Sequence, residues 1–222
     1  MVDKKQNYEA SVYLVGAMEA AKGLGKGWRD ELKPFFEERK VKVYSPNDFE
    51  PYQLKGLHVN RLPEEFESRF TQKKIKPRTW HALKVSASKL FTRFMKYMTS
   101  IIFYDCDVVL HEADFLLCKW DESTFFGCGT QGEITLAKKF GIPVFIINNI
   151  DDSFTTSRGT GKDLIPAWAV GCAEEVFSSV EEFKEFFDDE YELIIRQAKE
   201  TKFTVRMALK KALKLNEKRV KE

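Results

Sequence analysis

Residues 113–121, Ala-Asp-Phe-Leu-Leu-Cys-Lys-Trp-Asp, and residues 127–137, Gly-Cys-Gly-Thr-Gln-Gly-Glu-Ile-Thr-Leu-Ala, decide the fold. In the first, the apolar run from Asp114 to Trp120 reads as a buried strand. The second opens with glycines, which let backbone approach a ligand closely, and puts Glu133 on the first turn of a helix spanning Gln131 to Phe140. Gly141, with Pro143 just beyond, stops that helix. Free N–H groups and the positive helix end favour an ionised carboxylate there. Aimed into a cleft, such a carboxylate is a nucleophile for a glycosidic carbon. A plainer reading stands beside this one. Thr130 and Glu133 have capping-box spacing, and Gly129-Thr130 also reads as a tight turn and N-cap.

Working outward, Ser11 to Met18 (SVYLVGAM) reads as a first buried strand feeding a loop. The stretch RDELKPFFEERK then reads as a helix, which Pro34 should kink or shorten. Val41 to Tyr44 reads as a second strand and Pro143 to Asn149 as a fourth. Cys172 to Phe177 adds a last short one. A helix follows from near Ser179, whose spacing to Glu182 is that of a capping box. Strands alternating with helices predict an α/β fold, a doubly wound, Rossmann- or flavodoxin-like sheet that is mostly parallel, with about five strands. Residues 1–222 read as a single domain. Residues 46–80 are an insertion or lid within it, His81 to Met98 is a helix, and residues 178–222 are a C-terminal helical extension. In such a sheet ligands sit outside the carboxyl ends of the strands. That rule singles out the loop after Met18, the segment around Asp105 and the loop from Asp121 to Glu133.

The hydrophobic fraction of 43% across 222 residues supports an ample core. The charge, 36 basic against 34 acidic residues, is nearly balanced and argues against nucleic acid or an anionic membrane as partner. Cys106, Cys118, Cys128 and Cys172 are too widely spaced for a zinc site, so neither metal nor other cofactor is expected. Free thiols, no secretory leader and no apolar run of roughly 20 residues point to a soluble cytoplasmic protein.

Tyr13-Leu-Val-Gly16, an Asp ahead of Ala113-Asp114, Gly129-Thr130-x-x-Glu133-x-x-x-Ala137 and Gly141-x-Pro143-Val144 together resemble the nucleoside 2-deoxyribosyltransferase superfamily. The resemblance covers Val12 to Asn149 and is strongest from Ala113 to Val144. Gly171 and the aromatic-rich helix after it correspond to the family's C-terminal part. Rossmann-like nucleotide hydrolases of the cytokinin-activating type share the Gly-Thr-x-x-Glu element. The resemblance implies that Glu133 is the nucleophile and that Tyr13, taken as the end of the first strand, orients it. It implies that Asp105 binds the nucleobase or shuttles its proton. Asp107 competes for that place, and Asp105 is preferred because Val108-Val109 then falls in better register. For Tyr13 the alternative is a core tyrosine with its hydroxyl satisfied; for the two aspartates it is a solvated acidic turn.

Gly16, Gly129 and Thr130 are expected against substrate. The transferases usually carry an Asp two residues before Gly-Thr, where this chain has Gly127; Asp121 is the candidate replacement. Nucleotide-hydrolysing relatives also lack that Asp, so the departure tilts towards hydrolysis or an altered substrate. Lys22 to Arg29 (KGLGKGWR), with Lys26 and Arg29, reads either as a cradle for a 5′-phosphate or as a surface loop. Three functions stay open. One is a transferase that passes a deoxyribosyl group from one base to another through a glycosyl-Glu133 intermediate. Another is an N-glycosidase releasing base to water, and the third is a non-catalytic nucleotide-sensing module. The partner is a nucleoside or nucleotide. The resemblance also implies a homo-oligomer, with the basic C-terminal helix as a docking or dimer element.

Overall fold

A computed structural model describes residues 7–18, 21–48, 99–126 and 128–201. The expected helix at His81 to Met98, nearly all of the insertion, Gly127 and the basic end of the C-terminal extension lie outside the described residues. The chain divides into two compact units, one of Met1–Asp48 with Asp105–Glu222 and the other of Phe49–Tyr104.

In the first unit, β1 (Ala10–Gly16), β2 (Val41–Tyr44), β3 (Phe115–Trp120), β4 (Val144–Asn148) and β7 (Glu175–Phe177) form one sheet in the order β2-β1-β3-β4-β7. Every pairing is parallel. This is the doubly wound α/β fold read from the sequence. Parallel strands covered on both faces must be apolar throughout, and β1, β3 and β4 are buried almost without a break. A two-stranded hairpin, β5 (Thr155–Thr156) with β6 (Gly159–Thr160), occupies the polar loop after β4. Cys172 closes the helix α4 (Ala167–Cys172) rather than starting the last strand.

Alternation along β1 separates two cores. Val12 and Leu14 face a cluster with Leu32 and Phe36 of α1 (Lys26–Glu38) and Phe183 and Phe187 of α5 (Val180–Asp189). Phe187 is central to it. Its ring lies 5.4 Å from Phe36 and 5.6 Å from each of Phe115, Phe183 and Tyr191, mostly edge-on or tilted, as aromatic quadrupoles prefer. Tyr13 points to the opposite face, where α3 (Gly129–Lys139) packs with Ile134 and Ala137 buried.

The helix ends show which signals worked. Gly141, at φ 72°, ends α3 in a Schellman motif: Ile142 N–H bonds the Ala137 carbonyl at 2.9 Å and Gly141 N–H that of Lys138 at 3.1 Å. Ser179 caps α5 by accepting from Glu182 N–H at 3.1 Å, while the Glu182 carboxylate reaches back to Ser178 N–H at 2.6 Å. Pro34 neither breaks nor shortens α1, which runs from Lys26 to Glu38. Pro34 and Asp30 are both exposed, so the Asp30 carbonyl that loses its donor has water available. Among the described residues no helix is long and apolar enough to cross a membrane.

Phe187→Ala should cost about 3–5 kcal/mol of unfolding free energy, because these four aromatic neighbours and Phe35, 5.8 Å away, cannot all collapse into the void. Urea denaturation should show a lower midpoint at an unchanged slope.

Candidate active site

The strand order reverses direction between β1 and β3, so the crevice at their carboxyl ends is where such a fold receives ligands. Three acidic or phenolic side chains meet beside it. Tyr13 sits in the middle of β1, three residues before its end, and is fully buried. Its Oη lies 2.6 Å from Asp105 Oδ1 and 3.2 Å from Glu133 Oε1. Asp105 lies near the end of a helical stretch, residues 99–107 (α2), that widens into a π-helical turn, Val108–Glu112. That turn closes with Ala113 N–H on the Val108 carbonyl at 2.8 Å and buries Val108 and Val109, which holds Asp105 over β1. Asp107 is exposed and lies near His111 instead, 3.7 Å from its Nε2.

Glu133 is the fifth residue of α3, because that helix starts at Gly129, two residues before the expected Gln131. No side chain caps α3, whose N-cap is Cys128, so the capping box is not made. Thr130 is buried inside the first turn instead. A side chain at Gly129 would meet open space.

A hydroxyl has one proton to donate and two lone pairs to accept with. Tyr13 therefore cannot donate to Asp105 and Glu133 together. The shorter contact takes the hydroxyl proton, and the longer is a hydrogen bond only when Glu133 is protonated and donates to Oη. The electrostatics agree. Burial, then the charge of Asp105, pushes Glu133 from an ordinary 4.5 to about 8. Burial likewise raises Asp105 from 3.8 to about 6, opposed by the Tyr13 hydrogen bond and the Arg29 charge. Burial and the two carboxylates push Tyr13 well above its ordinary value, so it stays a neutral phenol. Near neutral pH the pair shares one proton, and the two groups titrate as a unit.

The remaining expected residues are placed differently from one another. Gly16 ends β1, where an added Cβ would come 3.0 Å from the Lys119 carbonyl and 3.2 Å from the Trp28 ring. Asp121 ends the β3 run and turns its Oδ1 onto Ser123 N–H, at 3.0 Å, and onto the Ser123 hydroxyl. Lys26 is exposed and pairs with Asp30 at 3.9 Å on the solvent side of α1. Arg29 is buried and bonds main-chain carbonyls. Asn47 and Cys118 also adjoin the site and drew no attention in the sequence. Asn47 lies 3.4 Å from Arg29 Nη1, and the buried Cys118 thiol is pushed up by burial and by Glu133. A lone asparagine in a Ser-Pro-Asn turn and a cysteine in an apolar strand carry no local signal of either position. Among the described residues no group of three or more His, Cys, Asp or Glu side chains gathers to hold a metal ion.

The raised Glu133 pKa has a consequence for stability. The folded site retains a proton that the unfolded chain has released, so stability is fully present below about 4.5 and is lost as pH rises towards about 8. Glu133→Gln removes that titration while keeping the shape. The unfolding free energy of the parent should fall relative to this variant by about 1.4 kcal/mol or more between pH 5 and pH 8, read from urea melts. A constant difference across that range would show that Glu133 is ionised throughout.

No family model matches the sequence, and no curated protein does. Among solved structures, a conserved protein from Enterococcus faecalis V583 superposes with a TM-score of 0.49 at 13% identity, covering 82% of this chain and 98% of that one. A 2-deoxyribosyltransferase from the psychrotolerant bacterium Bacillus psychrosaccharolyticus superposes with a TM-score of 0.40 at 14% identity, covering 79% and 90%.

Proposed function

We propose that this chain is an N-glycosyl-transferring enzyme of nucleosides or nucleotides, with Glu133 as its nucleophile and a deoxyribosyl group as its cargo. The observation that carries the reading is the Tyr13 hydroxyl set between two carboxylates, 2.6 Å from one and 3.2 Å from the other. Cleaving an N-glycosidic bond by double displacement needs an ionised carboxylate to attack the anomeric carbon and an acid to protonate the departing base. Two carboxyl groups sharing one proton supply both.

In the resting arrangement Glu133 holds the proton and Tyr13 donates to ionised Asp105. Passing both protons one place along the chain, from Glu133 to Oη and from Oη to Asp105, leaves Glu133 ionised and Asp105 protonated. No proton enters or leaves. Glu133 Oε then forms a bond to the anomeric carbon as its bond to the base nitrogen breaks, and the base departs with the Asp105 proton. An incoming base, or water, attacks the glycosyl-Glu133 ester from the opposite side. It returns its proton to Asp105, and the sugar leaves with net retention.

Hydrolysis is the second reading, and one feature favours it: Gly127 stands where the resembling transferases have an aspartate. A non-catalytic nucleotide sensor is the third.

The deciding experiment incubates the full-length chain with deoxynucleosides and their 5′-monophosphates, with and without a second base. Product formed only with acceptor means transfer; free base in its absence means hydrolysis. Glu133→Ala should lower turnover at least about 10³-fold with the circular dichroism spectrum unchanged, as loss of an attacking group does. Tyr13→Phe, which keeps the ring and removes the hydroxyl, should cost about 10²-fold. Product from none of the common bases, or full activity in Glu133→Ala, would defeat the enzyme reading and leave the sensor.

A further inference from the structure

Arg29 is a buried cation gripped by main-chain oxygen. Its Nε donates to the Leu14 carbonyl at 3.0 Å, Nη2 to that of Gly16 and Nη1 to that of Gly25, both at 2.9 Å. Leu14 and Gly16 form the exit of β1, and Gly25 is the residue from which α1 starts, at φ 64°. One side chain therefore joins the end of the strand to the beginning of the helix. The fit leaves little room, since a Cβ on Gly25 would come within 2.6 Å of Nη1. Only a planar fork with several N–H groups satisfies carbonyls in three directions; a lysine ammonium is a point charge on a flexible stem.

The same cation acts on the carboxylate pair. The guanidinium lies on the carbonyl of Leu14, the residue next to Tyr13, and the groups near enough to feel its charge are Tyr13 on β1, Cys118 and Asp121 from β3 and its end, Glu133 on α3 and Asp105 on α2. On its own helix, Asp30 is exposed and paired with Lys26. A pair of carboxyls holding one proton carries a single negative charge, and the guanidinium balances it. Without that balance the remaining charge would sit beside the buried Tyr13 with nothing to offset it, and the pair would hold a second proton more firmly.

We propose that Arg29 is the positioning residue of this site: its locked guanidinium shapes the turn leaving β1 and is the fixed positive charge that keeps the Glu133–Asp105 pair at one proton. It is thus a built-in counter-charge, and its donors are turned to the protein's own carbonyls rather than to a substrate phosphate. The inference concerns charge, not turnover, and stands or falls separately from the glycosyl reading.

The test follows the side-chain carboxyl carbon resonances of Glu133 and Asp105 against pH in the full-length chain, with no substrate present. Arg29→Met should raise the midpoint at which the pair releases its second proton by about one pH unit, which leaves about tenfold less of the singly protonated form at a given pH below it. Arg29→Lys, which restores charge without the fork, should recover at least half of that displacement, a rescue that a purely structural role would not produce. A folded Arg29→Met with unchanged midpoints overturns the proposal. Should that variant fail to fold, the parent decides. The Arg29 Nε–H resonance should move with the carboxylate titration and lose that movement in Glu133→Gln. A guanidinium resonance that stays flat through the parent's titration overturns the proposal equally.

Discussion

One hydroxyl proton has to serve two carboxylates. That constraint at Tyr13 Oη organises the rest of the site, because a phenol at 2.6 Å and 3.2 Å from two acidic oxygens cannot satisfy both as anions. Either one acid keeps a proton or two negative charges face each other beside a buried ring. Burial settles the choice in favour of the proton, since it penalises charge on each group. The cluster thereby has a feature that ordinary core packing does not produce: two carboxyl groups, both raised by burial, on either side of one phenol hydroxyl.

The fold delivers the three groups from three separate elements and makes each hard to move. Tyr13 belongs to β1, paired on both sides with parallel strands, so its backbone is fixed by neighbours rather than by a loop. Glu133 rides on α3, which is ended by a Schellman turn and packed by Ile134 and Ala137. Asp105 is held by a π-helical turn, a distortion that is costly in a plain helix and frequent where a side chain must be re-aimed. Across the sheet, the aromatic cluster around Phe36 and Phe187 anchors α1, and α1 carries Arg29 to the end of β1. The acid cluster and its counter-charge thus come from opposite faces of the same strand.

Much of this was legible in the sequence because apolar runs and glycine stops are local signals. Four strands, the α3 stop at Gly141 and the Ser179–Glu182 cap follow from composition and spacing alone. The same signal failed at Thr130 and Glu133, where identical spacing forms no cap. Spacing states what a side chain can reach within its own helix, whereas Glu133 instead finds Tyr13, 120 residues away in the chain. The surroundings of Arg29 were not legible for a related reason. A basic residue near glycines suggests phosphate from sequence, but only the turn geometry shows three carbonyls already arranged around it. Asp105 and Asp107 could not be separated by spacing with any rigour, because the π turn inserts an extra residue per turn that no helical periodicity anticipates. Pro34 lay on a solvent face, where the rule about helix interiors loses its force.

The proton count bears on the glycosyl reading in a way that residue identities do not. In the proposed double displacement, Asp105 gives a proton to the leaving base and receives one from whatever enters, so the site returns to its starting state. That holds equally for a base and for water. Proton handling therefore does not separate transfer from hydrolysis, and a missing aspartate at Gly127 cannot decide it through acid–base chemistry alone. The difference must lie in occupancy. A transferase holds the glycosyl-enzyme dry until a second base stacks into the vacated place, and a hydrolase lets water reach the ester first. On that reading, what selects between them is the wall of the base site and not the Tyr13–Asp105–Glu133 chain, to which the same proposed chemistry falls in either case.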